Sequence, residues 1–98
     1  MKPHIFHPEA DEEYVQAVQY YADIELELGH RFYDEMERLI REACVNPERF
    51  WQFDPPARRH LIGNFPYAII YLEIPEHIWI VAVMHMKRRP GYWRNRLG

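Results

Sequence analysis

The apolar positions of this 98-residue chain change their spacing near the middle, from a helical period to an extended one. Ile5-Phe6, an apolar pair between His4 and His7, predicts a first strand of about four residues. Pro8 then fits a first helical position, and the acids Glu9, Asp11, Glu12 and Glu13 favour a helix N-terminus. Ala10, Tyr14, Ala17, Tyr21 and Ile24 follow at alternating spacings of four and three and form one apolar face. Gly29 breaks that pattern and is expected to mark a turn. Phe32, Met36, Leu39, Ile40 and Ala43 form a second such face, which ends near Asn46-Pro47. The two faces predict an αα-hairpin.

After Asp54-Pro55-Pro56 the period becomes two. Residues 57–62 are a possible strand, and residues 65–74 and 77–86, rich in Ile, Val and aromatics, predict a hairpin about Pro75-Glu76. That turn places Pro66, Ala68, Ile70 and Leu72 with Trp79, Val81, Val83 and His85 on one face. The other face takes Phe65, Tyr67, Ile69 and Tyr71 with Ile80, Ala82, Met84 and Met86. Both faces are mostly apolar, so the hairpin should be central and covered on both sides, by the helices and by the C-terminal segment or a partner. The expected fold is α+β, in the order β-α-α-β-β-β, with a helical hairpin packed on a small antiparallel sheet.

Composition narrows the class. The length suits a single domain over residues 1–98, and 48% hydrophobic with 28% charged residues is globular usage. No stretch approaches the apolar length of a membrane span, and a lone cysteine, Cys44, excludes an internal disulfide and suits a reducing compartment. A cytoplasmic location is the expectation. The net charge of −3 conceals an asymmetry. Residues 1–49 carry twelve acids against five Lys/Arg, whereas residues 50–98 carry three against seven. Such a split arises either from solvated acidic helices or from a surface for an anionic partner.

Three ordered segments resemble the RelE/ParE superfamily of type II toxins. Ala10-Asp11-Glu12-Glu13-Tyr14 through Tyr20-Tyr21 is similar to the family's acidic, tyrosine-containing first helix, and Leu28-Gly29-His30-Arg31-Phe32 to its interhelical turn. Arg58-Arg59-His60-Leu61 followed by Phe65-Pro66-Tyr67-Ala68-Ile69-Ile70-Tyr71 resembles its central strands. Val83 to Trp93 is similar to the "V.H..R.P.YW" ending of plasmid-stabilisation members. The resemblance implies a toxin that inhibits growth and is silenced by a cognate antitoxin. RelE-type members cut mRNA on the ribosome, and ParE-type members inhibit DNA gyrase without a catalytic set; a degenerate, non-toxic binding module is a third reading. The strand 65–74 carries no Lys or Arg, and the ending lies nearer the ParE-like branch.

Metal-free RNA cleavage needs a base, an acid, cations on the phosphate and rings to stack the bases. The candidates, if the protein is a nuclease, are Arg58, Arg59, His85, Lys87, Arg88 and Arg89. Target or RNA contact falls to Arg88, Arg89, Tyr92, Trp93 and Arg94, and antitoxin contact to Arg58, Arg59, Trp79, Met84 and Met86. Each has a plain structural use as well. The arginines can pair with acidic helices, a histidine among apolar residues can pack, and Tyr92-Trp93 can fasten the tail to the sheet. The histidines lack zinc-ligand spacing, so neither a metal nor another cofactor is expected, and no phosphate-binding glycine loop suggests a small-molecule substrate.

Overall fold

The computed structural model describes residues 1–98. The chain runs β1 (His4–Phe6), α1 (Pro8–Ile24), α2 (Leu26–Val45), β2 (Trp51–Asp54), β3 (Ala57–Leu61), β4 (Tyr67–Glu73) and β5 (Ile78–His85). The sheet order is β1-β5-β4-β3-β2, with both helices on one face. The expected α+β architecture is present, with two departures. Residues 51–54 form a further strand, antiparallel to β3 through the Asp54↔Ala57 turn. The sheet is mixed rather than antiparallel, because β1 pairs in parallel with β5 (Ile5↔Trp79).

Helix α1 begins as the sequence requires: Pro8 occupies its first turn, and His7 Nδ1 accepts the Glu9 N–H at 3.1 Å. Its buried stripe is Ala10, Tyr14 and Ala17; Ile24, expected on this face, is exposed. Gly29 does not mark the turn. One extended residue, Glu25, separates the helices, and Gly29 lies in the first part of α2. Its missing side chain has another use: a Cβ there would stand 2.7 Å from Ala22 Cβ and 2.8 Å from Ala22 Cα. The hairpin therefore closes backbone against backbone, which sequence periodicity alone reads as a break.

The β4–β5 pairing follows the expected register from Glu73↔Ile78 to Tyr71↔Ile80 and then slips by one residue, giving Ile70↔Ala82 and Tyr67↔His85. The slip is a bulge at Val81–Ala82, and both of these residues pack in the cluster on the far face of the sheet. A one-residue slip exchanges faces for everything beyond it. Val83 and His85, expected beside Trp79, instead join Tyr67 and Ile69 under the helices, and Ala82 and Met84 move to the far face.

Two cores result. Sixteen buried residues fill the helix side, among them Phe32, Met36, Ile69, Tyr71 and Ile80. Seven fill the far side, where Trp93 folds back from the tail as the largest member, 1% exposed. An aromatic ring buried to that extent contributes about 4–6 kcal/mol of apolar transfer free energy. That is comparable with the whole net stability of a small domain. Gly29→Ala should force α1 and α2 apart and cost about 1–3 kcal/mol. A thermal melt checks this, and an unchanged midpoint would show that the close approach carries no constraint.

Candidate functional site

The tail after β5 determines where the basic residues sit. Residues 85–88 form a turn in which Arg88 N–H donates to the His85 carbonyl, while Lys87 N–H donates to His85 Nδ1, both at 3.0 Å. In the neutral ring this leaves the proton on Nε2. Gly91, at φ +74, then reverses the chain with the Arg94 side chain packed against it. The reversal drops Trp93 into the far core and carries Arg96 back over the edge of β5.

At that edge the Glu13 carboxylate gathers four donors. It accepts two hydrogen bonds of 2.9 Å from the Arg96 guanidinium, one of 2.7 Å from Tyr92 Oη and one of 3.0 Å from Val83 N–H. Arg96 also donates to the Val81 carbonyl at 3.0 Å and reaches the exposed Glu9 at 3.3 Å. The side chains of Glu13 and Arg96 are only 15% and 7% exposed. The hydrogen bond to Glu13 raises the Arg96 pKa, so the guanidinium stays charged despite its burial. Burial and the same carboxylate push the Tyr92 hydroxyl well above its ordinary value.

On the far face lies a groove of about 230 Å³ lined by Phe53, Arg59, Met84, Met86, Arg88, Pro90, Gly91, Trp93 and Arg94. Six of the sequence-selected residues therefore meet in one place: Arg59, Met84, Met86, Arg88, Trp93 and Arg94. They are not equally available. Arg59 is held over Trp51 and Phe53, 5.0 and 5.2 Å from their ring centres, and Arg94 pairs with Asp54 at 2.6 Å. Met86 is exposed, whereas Met84 and Trp93 are buried and serve the core.

The remaining candidates are dispersed. Arg58 donates to the carbonyls of Phe50 (2.9 Å) and Glu48 (3.3 Å), fixing the short 3₁₀ segment Pro47–Arg49 against β3. Arg58 and His85 share the helix-facing side, opposite Tyr71 and Tyr67 respectively, so they are about 13 Å apart along the strand direction. Arg59 pairs with Ile70 and faces the other way. Lys87 and Arg89 project into solvent, and Trp79 is half-buried against the far core. Tyr92 is half-buried, with the Arg88 guanidinium 3.9 Å above its ring. No three His, Cys, Asp or Glu side chains converge on a common point. Cys44 is buried in the helix-side core, and burial raises its pKa, as suits a packing residue.

Sequence reasoning missed Glu13 and Arg96. An acid in the first part of an amphipathic helix reads as solvated, and nothing local marks Arg96 as its partner. It also missed the polar seam where His60 Nε2 meets Glu42 Oε1 at 2.7 Å beneath the stacked ring of Phe50. The bond from His60, assisted by Arg38 against partial burial, lowers the Glu42 pKa.

The fold and this geometry define a small α+β protein whose C-terminal tail is strapped across the edge of β5 beside a groove rimmed by arginines. A profile described as "ParE toxin of type II toxin-antitoxin system, parDE" matches residues 5–90, and the chain belongs to that family. It is thus the toxin of a type II pair, and its family partner is an antitoxin. The matched span stops just before Gly91, so Tyr92, Trp93 and Arg96 lie beyond it. A search of curated proteins found no match. No helix is long and apolar enough to cross a membrane.

Two stability measurements probe the site. Glu13→Gln should cost about 3 kcal/mol, because it leaves a buried guanidinium with only the Val81 carbonyl and the exposed Glu9 as partners. In urea titrations Arg96→Met should cost far less in the Glu13→Gln background than in the wild type; full additivity would mean that the two residues act independently. Glu42, with its lowered folded pKa, supplies stability that is complete above its ordinary value of 4.5 and is lost as pH falls through the folded value. Glu42→Gln should therefore flatten the acid limb of stability below pH 4.5. An unaltered acid limb would exclude this role.

Proposed function

We propose that this toxin stops growth in the cytoplasm by binding DNA gyrase, in the ParE manner, with no residue of its own doing chemistry. The observation that carries this reading is the separation of His85 from the arginine pair Arg58-Arg59, which leaves Arg88 as the one candidate cation in the recess that His85 lines. A general base has to lie within hydrogen-bond reach of the proton it takes, with the phosphate-binding cations nearby. Here His85 and Arg58 stand under the helices some four residue-steps apart, and Arg59 lies across the sheet. Arg58 is spent on two backbone carbonyls. The family assignment supports the same reading.

In this account the gyrase contact is the far-face groove with its rim of Arg59, Arg88 and Arg94 and the exposed Met86. Guanidinium groups beside apolar surface are the usual composition of a strong protein interface. Antitoxin contact at Arg59, Trp79 and Met86 would then cover part of the same face and neutralise the toxin by exclusion. Arg58 and Met84, already engaged within the fold, support those surfaces from behind.

The test is inhibition of gyrase-catalysed supercoiling by the purified toxin, alongside mapping of RNA 5′ ends in cells soon after induction. The expected result is inhibition that survives His85→Gln and falls roughly tenfold or more in Arg59→Gln/Arg94→Gln, with a thermal melt checking the fold because both arginines also make contacts within it. New RNA ends within translated codons, abolished by His85→Gln, would overturn the reading in favour of a ribosome-dependent endoribonuclease. Neither growth arrest nor cleavage would indicate a binding module that has lost its poison.

A further inference from the structure

A second recess lies on the helix side, where α1 crosses the end of the β4–β5 hairpin. Two adjoining hollows of about 180 and 440 Å³ share Tyr20, Tyr67 and His85 as walls; Glu13, Gln16 and Arg88 add polar walls to the first, and Ala17 and Val83 apolar ones. Four of these residues bring hydrogen-bond donors that have no acceptor within the protein. They are the Tyr20 and Tyr67 hydroxyls, the Arg88 guanidinium, and the His85 Nε2–H left free by the Lys87 contact to Nδ1. The one acceptor of negative charge there, Glu13, is already satisfied by Arg96, Tyr92 and Val83. Burial, with neighbouring tyrosines and Glu13, raises the Tyr67 pKa, so its hydroxyl keeps its proton.

The recess is also held in shape. Arg96 fixes Glu13, Glu13 holds the Tyr92 hydroxyl, and the Tyr92 ring carries the Arg88 guanidinium at 3.9 Å. On the other side the Tyr67 ring packs edge-on to His85 at 5.0 Å and to Phe32 at 5.1 Å. Donors that line one recess beside a cation, with the local carboxylate already neutralised, match an anionic group entering from outside.

We infer that this recess receives an acidic side chain of the antitoxin, a carboxylate flanked by apolar residues. The surroundings favour a peptide over a nucleic-acid backbone. The mouth is bordered by the exposed apolar side chains of Tyr20 and Ile24, each 61% exposed, with Leu26 beyond. The same helix carries Glu9, Asp11, Glu12 and Asp23, a field that repels a run of phosphates and tolerates one carboxylate in an apolar segment. The inference rests on the toxin–antitoxin reading and adds to it the chemistry of one contact.

The experiment is a double-mutant cycle on the complex with the product of the neighbouring gene. Tyr67→Phe removes only the hydroxyl and keeps the ring; Arg88→Gln is the second variant, should the first alter folding. Each is paired with single Glu→Gln and Asp→Asn changes along the partner's toxin-binding segment, and affinities are measured by titration calorimetry. The expected result is a loss of roughly tenfold or more for each toxin variant, coupled to one partner carboxylate. Affinity unchanged, or lost without coupling to any acidic residue, overturns the assignment. So does loss of growth arrest with antitoxin affinity intact, which would give the recess to the toxin's target. If the wild-type toxin failed to bind the neighbouring product at all, the toxin–antitoxin pairing itself would fall.

Discussion

Beyond Ile80 the outer edge of β5 has no strand beside it, because β1 ends at Phe6 and the chain leaves for α1. Backbone groups on a bare edge must be satisfied or exposed, and an uncovered edge invites unwanted pairing. Here the Val83 N–H and Val81 carbonyl are served by Glu13 and Arg96, two side chains that satisfy each other as well. Much of the functional surface follows from that arrangement. It fixes the tail over the sheet, so that Trp93 completes the far core on one side while Arg88 is set at the recess on the other. A buried ion pair rarely adds much net stability over an apolar substitute. Its value at this position is to specify where the tail lies.

The bulge at Val81–Ala82 is the second constraint, and it decides which side of the sheet His85 faces. Without it, His85 would share a face with Trp79 and Arg59, close to the groove. With it, His85 turns beneath the helices and its ring joins Tyr67. One extra residue in one strand thereby separates the histidine from Arg59 and Arg94, and the groove is left with guanidinium groups and thioethers but no proton-transfer group.

How much of this was legible in the sequence depended on whether the signal was periodic. The helices and the central hairpin came from spacings that any buried element must keep, and they stand in the structure; the hairpin's two faces hold only as far as the bulge. Gly29 misled because a glycine required for helix–helix contact and one required for a turn look alike along the chain; only the 2.7 Å approach to Ala22 separates them. Strand β2 was overlooked because Trp51–Asp54 is a short edge strand beside prolines, with too little alternation to count. The bulge was invisible for a related reason: Val81 and Ala82 are both apolar, so the pattern does not record which way either points.

The site residues divide along the same line. Arginines and aromatics of the C-terminal half were selected by type, and several of them do meet in the groove. Their partners, Glu13, Asp54 and the carbonyls of Glu48 and Phe50, are set by tertiary geometry and leave no mark at fixed spacing. Charge asymmetry between the halves was a fair clue, and the contacts explain part of it. The acidic first half supplies Glu9 and Glu13 to the basic tail, so the two halves neutralise each other where they touch. In the C-terminal half Arg94 is paired with Asp54, whereas Arg59, Lys87, Arg88 and Arg89 have no carboxylate partner. On the function proposed above, these four cations are the charges left for an acidic surface of a partner, because every other charge of the tail is engaged within the fold.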